Sequence, residues 1–422
     1  VNPGLIRRIL ALPCAGLISL AVGCGSQTVS GTAPAVAVRT APLSTSLVTV
    51  QGAWAVTVMG GPAAAEDNFW QLFVRPAGTS RWSLVTPEGV ADNGGLVAAG
   101  GAGGASLLVG FRPSQGLAFS PLATSSDTGR NWTPGLLDAD LADVPDAMAV
   151  APSGRTLALL RDGSIEAAAT SGAATAGQWS PLASLSALAA TAPGRECGLV
   201  AVNAVTFGPD NVPMAAGSCA RRGVAGVFAD TGGAWQAAGP VLPAGFGGDQ
   251  VQVLGLAAPV PAKTVPAKTV PAKTVPANTV PANTVPAKTV PAKTGGGNAA
   301  LLLAGTGLLA AWSDGGRWTV SGPVAAAAGD EQGVSASGFG PGGSVWVLLG
   351  AGRAETISGP GSAWRTLPAL PAGTATLAPG PGPGTFDALA VSGSRLTIWR
   401  LAGTAWAKVQ VINVPISYGS SG

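Results

Sequence analysis

The residues able to do chemistry in this 422-residue chain are few, and histidine is not among them. That removes the usual neutral-pH general base and the nucleophile–histidine triads. It also leaves no imidazole for a zinc site. Acid chemistry remains open. Asp138, Asp140 and Asp143 and the pair Asp330–Glu331 lie in loop-like stretches. Glycoside hydrolysis would need two such carboxylates facing a cleft about 5–10 Å apart. Arg221–Arg222 and Arg353 lie in similar stretches, and clustered guanidinium groups suit carboxylate recognition. These eight residues are the candidate ligand face. A solvated loop face accounts for them better, so no catalytic residue, metal ligand or cofactor is assigned.

The elements that must position these residues are set by tryptophan. Trp82, Trp132, Trp179, Trp235, Trp318, Trp364 and Trp406 each close a short glycine-rich turn, and all but one of the gaps between them are similar. The long gap, from Trp235 to Trp318, contains seven tandem copies of Val-Pro-Ala-Lys/Asn-Thr from Val260 to Thr294. Removing those copies restores the spacing. A period of roughly 40–50 residues built from short strands is the mark of a β-propeller, one blade per repeat. The expected fold is all-β: seven four-stranded blades over 46–415, with almost no helix. Segments such as Asp146–Pro152, Arg155–Leu160 and Ser164–Thr170 read as successive strands, separated by Pro-Ser-Gly and Arg-Asp-Gly turns. The strand Val409–Val414 is expected to pair with the N-terminal blade and close the ring.

Ser125-Ser-Asp-Thr-Gly-Arg-Asn-Trp132 is the clearest copy of the turn. It resembles the Asp-box, or bacterial neuraminidase repeat, through Ser125, Asp127, Gly129 and Trp132, with Asn131 where threonine is usual. The resemblance implies a structural turn between the third and fourth strands of a blade, with Asp127 as its brace. Sialidases carry the same box, which makes a divergent glycoside hydrolase the alternative reading. Their arginine motif is not matched, since Phe111-Arg112-Pro113 lacks its isoleucine. The only tyrosine, Tyr418, falls in the tail at 416–422.

Arg7 and Arg8 precede an apolar run from Ile9 to Val22 that ends at small residues, the layout of a secretory signal. Leu20-Ala-Val-Gly-Cys24 resembles a bacterial lipobox, although Ala21 stands where leucine is preferred. The resemblance implies signal residues 1–23, a diacylated Cys24 holding the chain to membrane lipid, and a flexible tether over 24–45. Cys14 would leave with the signal. Cys197 and Cys219 then remain as a pair, expected on adjacent strands of the fourth blade, and a disulfide is expected outside the cytoplasm.

The insert, residues 259–298, cannot pack as a core because proline recurs every fifth residue. Its five lysines and Arg7–Arg8 account for seven of the 23 basic residues, so the rest of the chain has 16 basic against 20 acidic. That mildly acidic body has no nucleic-acid signature. The expected function is a monomeric, lipid-anchored, non-catalytic binding or scaffold protein on the extracytoplasmic face of the cell membrane. A glycan or an envelope protein is the expected ligand, and an envelope assembly factor is the third reading.

Overall fold

The computed structural model describes residues 44–49, 51–60, 68–87, 96–100, 107–111, 121–136, 145–258, 297–325, 333–350, 352–382 and 384–415. Among them the strands fall into seven consecutive antiparallel units. The first is β1 to β4 (Ser44–Thr49, Gly52–Gly60, Asn68–Pro76, Ser83–Leu84). The second is β5 to β8 (Leu96–Gly100, Leu107–Phe111, Pro121–Ser125, Thr133–Leu136). The third is β9 to β12 (Pro145–Val150, Thr156–Leu160, Ile165–Ala168, Ser180–Ala183). The fourth is β13 to β16 (Leu199–Phe207, Pro213–Cys219, Gly226–Asp230, Trp235–Ala237). The fifth is β17 to β20 (Val251–Ala257, Ala299–Ala304, Gly307–Asp314, Arg317–Val320), with β21 (Val324–Ala325) added beside β19. The sixth is β22 to β25 (Val334–Phe339, Val345–Leu349, Arg353–Ile357, Arg365–Thr366). The last is β26 to β29 (Thr374–Pro379, Phe386–Ser392, Arg395–Ala402, Ala405–Asn413).

A sheet buried on both faces needs apolar residues at both parities of its strands, and β10 (TLALL) and β23 (VWVLL) are buried throughout. The apolar clusters lie between units rather than within them. Leu108 and Leu122 of the second unit pack with Met148 and Leu160 of the third. Val227 of the fourth packs with Leu302 and Leu309 of the fifth. Leu389 and Ile398 of the last pack with Ala55 and Phe73 of the first. Because the last and first units share a cluster, the units form a closed ring, the all-β propeller expected from the repeat.

The first strands stand next to one another, β1 by β5, β5 by β9, β9 by β13 and β13 by β17. On the closing side β1 contacts β26 and also pairs in parallel with β22, Ser44 opposite Ser337 and Ser46 opposite Gly338. Thr45 and Thr376 join their hydroxyls at 2.7 Å.

Several expectations need correction. The first strand begins at Ser44, two residues inside the expected tether. The strands on either side of the insert, β17 and β18, pair as expected. Asn298 belongs to the fold rather than to the insert, since its backbone N–H donates to Ser313 Oγ at 2.9 Å and it is buried. The signal, the rest of the tether and nearly all of the insert lie outside the described residues, as does the tail. Strand β29 lies at the outer edge of its own sheet and pairs with β28 alone. It does not add to the first unit, which already has four strands of its own.

Helix is scarce but present. The segments α1 (Ser171–Thr175), α2 (Leu185–Ala190) and α3 (Ala192–Cys197) begin at Thr170, Ser184 and Thr191. Each of those hydroxyls accepts a first-turn N–H. The second and third of them lie in the wide insert-free gap between Trp179 and Trp235 and account for it. Short hydroxyl-capped segments of small residues show no apolar stripe at helical period, so periodicity does not reveal them. Cys197 ends α3 rather than lying on a strand, and it bonds Cys219 at the end of β14.

Candidate functional site

In an antiparallel meander the first–second and third–fourth connections share one end, and the other connections share the opposite end. The tryptophan turns and the two ends of the insert therefore lie together. Arg221 and Arg222, between β14 and β15, lie at the opposite end with Arg353, at the start of β24, and with Ser44, where the chain enters.

At the turn end, Asp127 acts as a brace. Ser125 Oγ donates to its Oδ1 at 2.9 Å, and Oδ1 also accepts the backbone N–H groups of Arg130 and Asn131 at 3.0 and 2.9 Å. The Asn131 side-chain amide donates to Oδ2 at 2.5 Å. These bonds, those of Asn131 first, favour the ionised carboxylate and lower its pKa to about 2. Gly129 takes a positive φ, and a Cβ there would collide with the side chain of Val85. The turn needs glycine on both counts. A carboxylate held as Asp127 is makes a poor proton donor at neutral pH.

The tryptophans bind the ring together. The indole N–H of Trp132 donates to Val85 O at 2.8 Å, that of Trp318 to Ala238 O at 2.6 Å and that of Trp406 to Pro368 O at 3.3 Å. Each acceptor follows the outer strand of the preceding unit. Trp179 departs from this and donates to Ala174 O of α1 at 3.0 Å, while α1 itself packs on β7 and β8.

Trp82 has no preceding unit in sequence and reaches back to the last one. Its indole N–H donates at 2.8 Å to Asp387 Oδ2 on β27. Arg400 grips Asp387 through two nitrogens, Nε to Oδ1 at 2.7 Å and Nη2 to Oδ2 at 2.9 Å. Arg75 lies 3.4 Å from Oδ2, donates to Pro379 O at 2.7 Å and stands over the Trp82 ring at 5.7 Å, within cation–π range. Asp387 is fully buried, and burial first, then the neighbouring Arg400, lowers the Arg75 pKa against the attraction of Asp387. Gln410 on β29 completes the junction, accepting from the Trp82 backbone N–H at 2.9 Å and donating to Trp82 O at 2.8 Å. A side-chain amide thus makes the backbone-like pairing expected of a whole strand.

This is where two arginines from different units meet a carboxylate, with Asp387 and Arg75 buried and Arg400 partly exposed. The eight sequence candidates are not assembled in that way. Arg221 pairs with Glu196 at 3.5 Å on the surface, Arg222 donates to Gly248 O at 2.8 Å, and Arg353 stands 3.5 Å from Glu355. Asp138, Asp140, Asp143, Asp330 and Glu331 lie outside the described residues. The first strands β1, β9, β13, β17, β22 and β26 carry one charged residue, Asp146. Among the described residues no group of three or more acids or cysteines forms a metal site. No helix among them is long and apolar enough to cross a membrane.

Two buried acids, Asp387 and Glu355, escaped the sequence reading. Asp387 sits inside the apolar strand FDALAVS, where a lone charge breaks the pattern, whereas Glu355 shares the strand RAETI with Arg353. That break was a usable signal.

No family model matches the chain, and no curated protein matches it. Among solved structures, YCF48 bound to D1 peptide is similar at 13% identity over 83% of this chain and 90% of that one, with a TM-score of 0.44. The GH74 xyloglucanase from Xanthomonas campestris is similar at 15% identity over 86% of this chain and 52% of that one, with a TM-score of 0.48. The periplasmic gluconolactonase PpgL of Pseudomonas aeruginosa is similar at 12% identity over 86% of this chain and 96% of that one, with a TM-score of 0.44. Likenesses this distant assign this chain no function.

Proposed function

We propose that the protein is a lipid-anchored β-propeller of seven blades that binds or scaffolds on the extracytoplasmic face of the bacterial cell membrane, without catalysis of its own. The observation that carries this reading is where charge is placed. The described first strands, which face the ring's centre, are nearly neutral, and the Arg75–Arg400–Asp387 group lies between units with its carboxylate fully buried. Such a ring offers shape and hydrogen bonds rather than groups that stabilise a developing charge. The Asp-box resemblance fits the same reading, because Asp127 is saturated by its own turn.

Two features support the location. The buried Cys197–Cys219 disulfide suits an oxidising compartment. Cys24 in its lipobox-like context supplies the acylation site, and thioether-linked diacylglycerol with an N-acyl chain would hold the protein stably.

The test expresses the full chain in a bacterial host with an alkyne-tagged fatty acid and screens membranes against fluorogenic glycosides. Label on the wild type and none on Cys24→Ala is expected, together with no turnover. Turnover that follows the purified protein would replace this reading with the sialidase-like hydrolase. Equal labelling of both forms would remove the anchor.

A further inference from the structure

The seven tryptophan turns allow equivalent positions to be compared. Two residues beyond each turn tryptophan, the outer strand faces one residue of the third strand. That residue is Phe73, Ala123, Phe228, Ala311 or Trp399 in five units. In the sixth unit it is Glu355, opposite Thr366, and in the third it is Glu166, opposite Pro181. A position filled by an apolar side chain in five of the seven units holds, at Glu355, an acid that is 3% exposed.

Burying a carboxylate is costly unless its oxygens are paired. Glu355 is only half paired. Thr366 Oγ1 donates to Oε1 at 2.8 Å and Arg353 Nε stands 3.5 Å from the same oxygen. Both contacts use Oε1. The side chain lines an open cleft of about 490 Å³ between the fifth and sixth units. Gly322, Pro323 and Val324 form one wall, and Ser362, Trp364 and Thr366 line the other with Glu355. The Trp364 indole N–H crosses the gap to Ser321 Oγ at 3.2 Å and Gly322 O at 3.1 Å, which fixes the indole while part of it faces the cleft.

We propose that this cleft is a binding site for a neutral glycosyl unit, with Glu355 Oε2 accepting a sugar hydroxyl and Trp364 covering a sugar face. The chemistry selects the class. Arg353 already offsets the Glu355 charge, so a cation gains little there, while an unpaired acceptor beside hydroxyls and an aromatic surface suits a polyol. This inference rests on the reading of the protein as a binding module and gives that module a site.

The test is calorimetric titration of the full chain with cellobiose, maltose and chitobiose, and with tetramethylammonium as the cation probe. Saturable binding of at least one disaccharide is expected. Glu355→Gln should weaken it about tenfold, the order of one charged hydrogen bond. Ser362→Phe, at an exposed position on the cleft wall, should abolish it with the circular dichroism melt unchanged. Disaccharide binding indifferent to both substitutions would overturn the cleft and leave the binding function standing. Binding of tetramethylammonium alone would overturn the ligand class. Silence with all four probes would overturn the inference and favour a protein partner for the module.

Discussion

Asp387 and Glu355 are the same kind of residue in the same kind of place, a carboxylate between two blades beside an arginine and a turn tryptophan. They end in opposite states. Asp387 has both oxygens bonded, by Arg400 and Trp82, with Arg75 alongside, and is shut from solvent. Glu355 has both of its contacts on one oxygen and lines an open cleft. The difference lies in what the tryptophan does. Trp82 gives its indole N–H to the acid itself, whereas Trp364 gives its own to the neighbouring backbone and leaves the acid beside it. A buried acid acts as a staple when both oxygens are engaged and as a receptor when one is left open.

That contrast is broken most severely at Asp387. Asp387→Asn leaves the buried Arg75 and the partly exposed Arg400 side by side without their counter-charge, and removing one partner of a buried pair costs about 3–5 kcal/mol. Urea unfolding should show that loss, and a change below about 1 kcal/mol would mean the junction is not closed by charge. The Cys197–Cys219 bridge, on the other side of the ring, joins residues separated by 22 in sequence without any charge. The double serine variant should lose about 2–5 kcal/mol, read from the same denaturation curve. Glu355→Gln should be far milder, within about 1 kcal/mol, because the amide oxygen can still accept from Thr366. A loss as large as that of Asp387→Asn would make the two acids equivalent and end the contrast.

The smallest effect is expected at the turn end. The folded pKa of Asp127 is lowered to about 2 from 3.8. Its contribution is therefore complete above about pH 4 and is lost as pH falls through about 2. Asp127→Asn should flatten that part of the acid-unfolding curve and lower neutral-pH stability by the same small amount, since what is lost in acid is what the carboxylate supplies above it. An unchanged acid limb would show that the turn does not sense the carboxylate.

The propeller was legible because its signal is repetitive. A bulky side chain must recur wherever one blade grips the last, and tandem units copy that need into the sequence at Trp132, Trp318, Trp364 and Trp406. The candidate ligand face was less legible. Arg221, Arg222 and Arg353 lie at one end of the strands, yet each has a different partner, since strand order determines the end and not the approach of side chains. The helices at 171–197 were hidden by their shortness, although the wide gap between Trp179 and Trp235 marked the place of α2 and α3.

What the sequence determined by itself is therefore the repeating part: strands of short period, glycine turns, the cysteine pair and the break of that period by the proline-rich insert. All of these depend on local backbone preference or on recurrence. Only the tertiary structure decided how the ring closes and which acids are satisfied. Trp82 meets Asp387 across a sequence separation of 305 and Gln410 across one of 328, and contacts at such separations leave no local trace. The same holds for the cleft, where Glu355 gains its meaning only when the fifth blade is set beside the sixth.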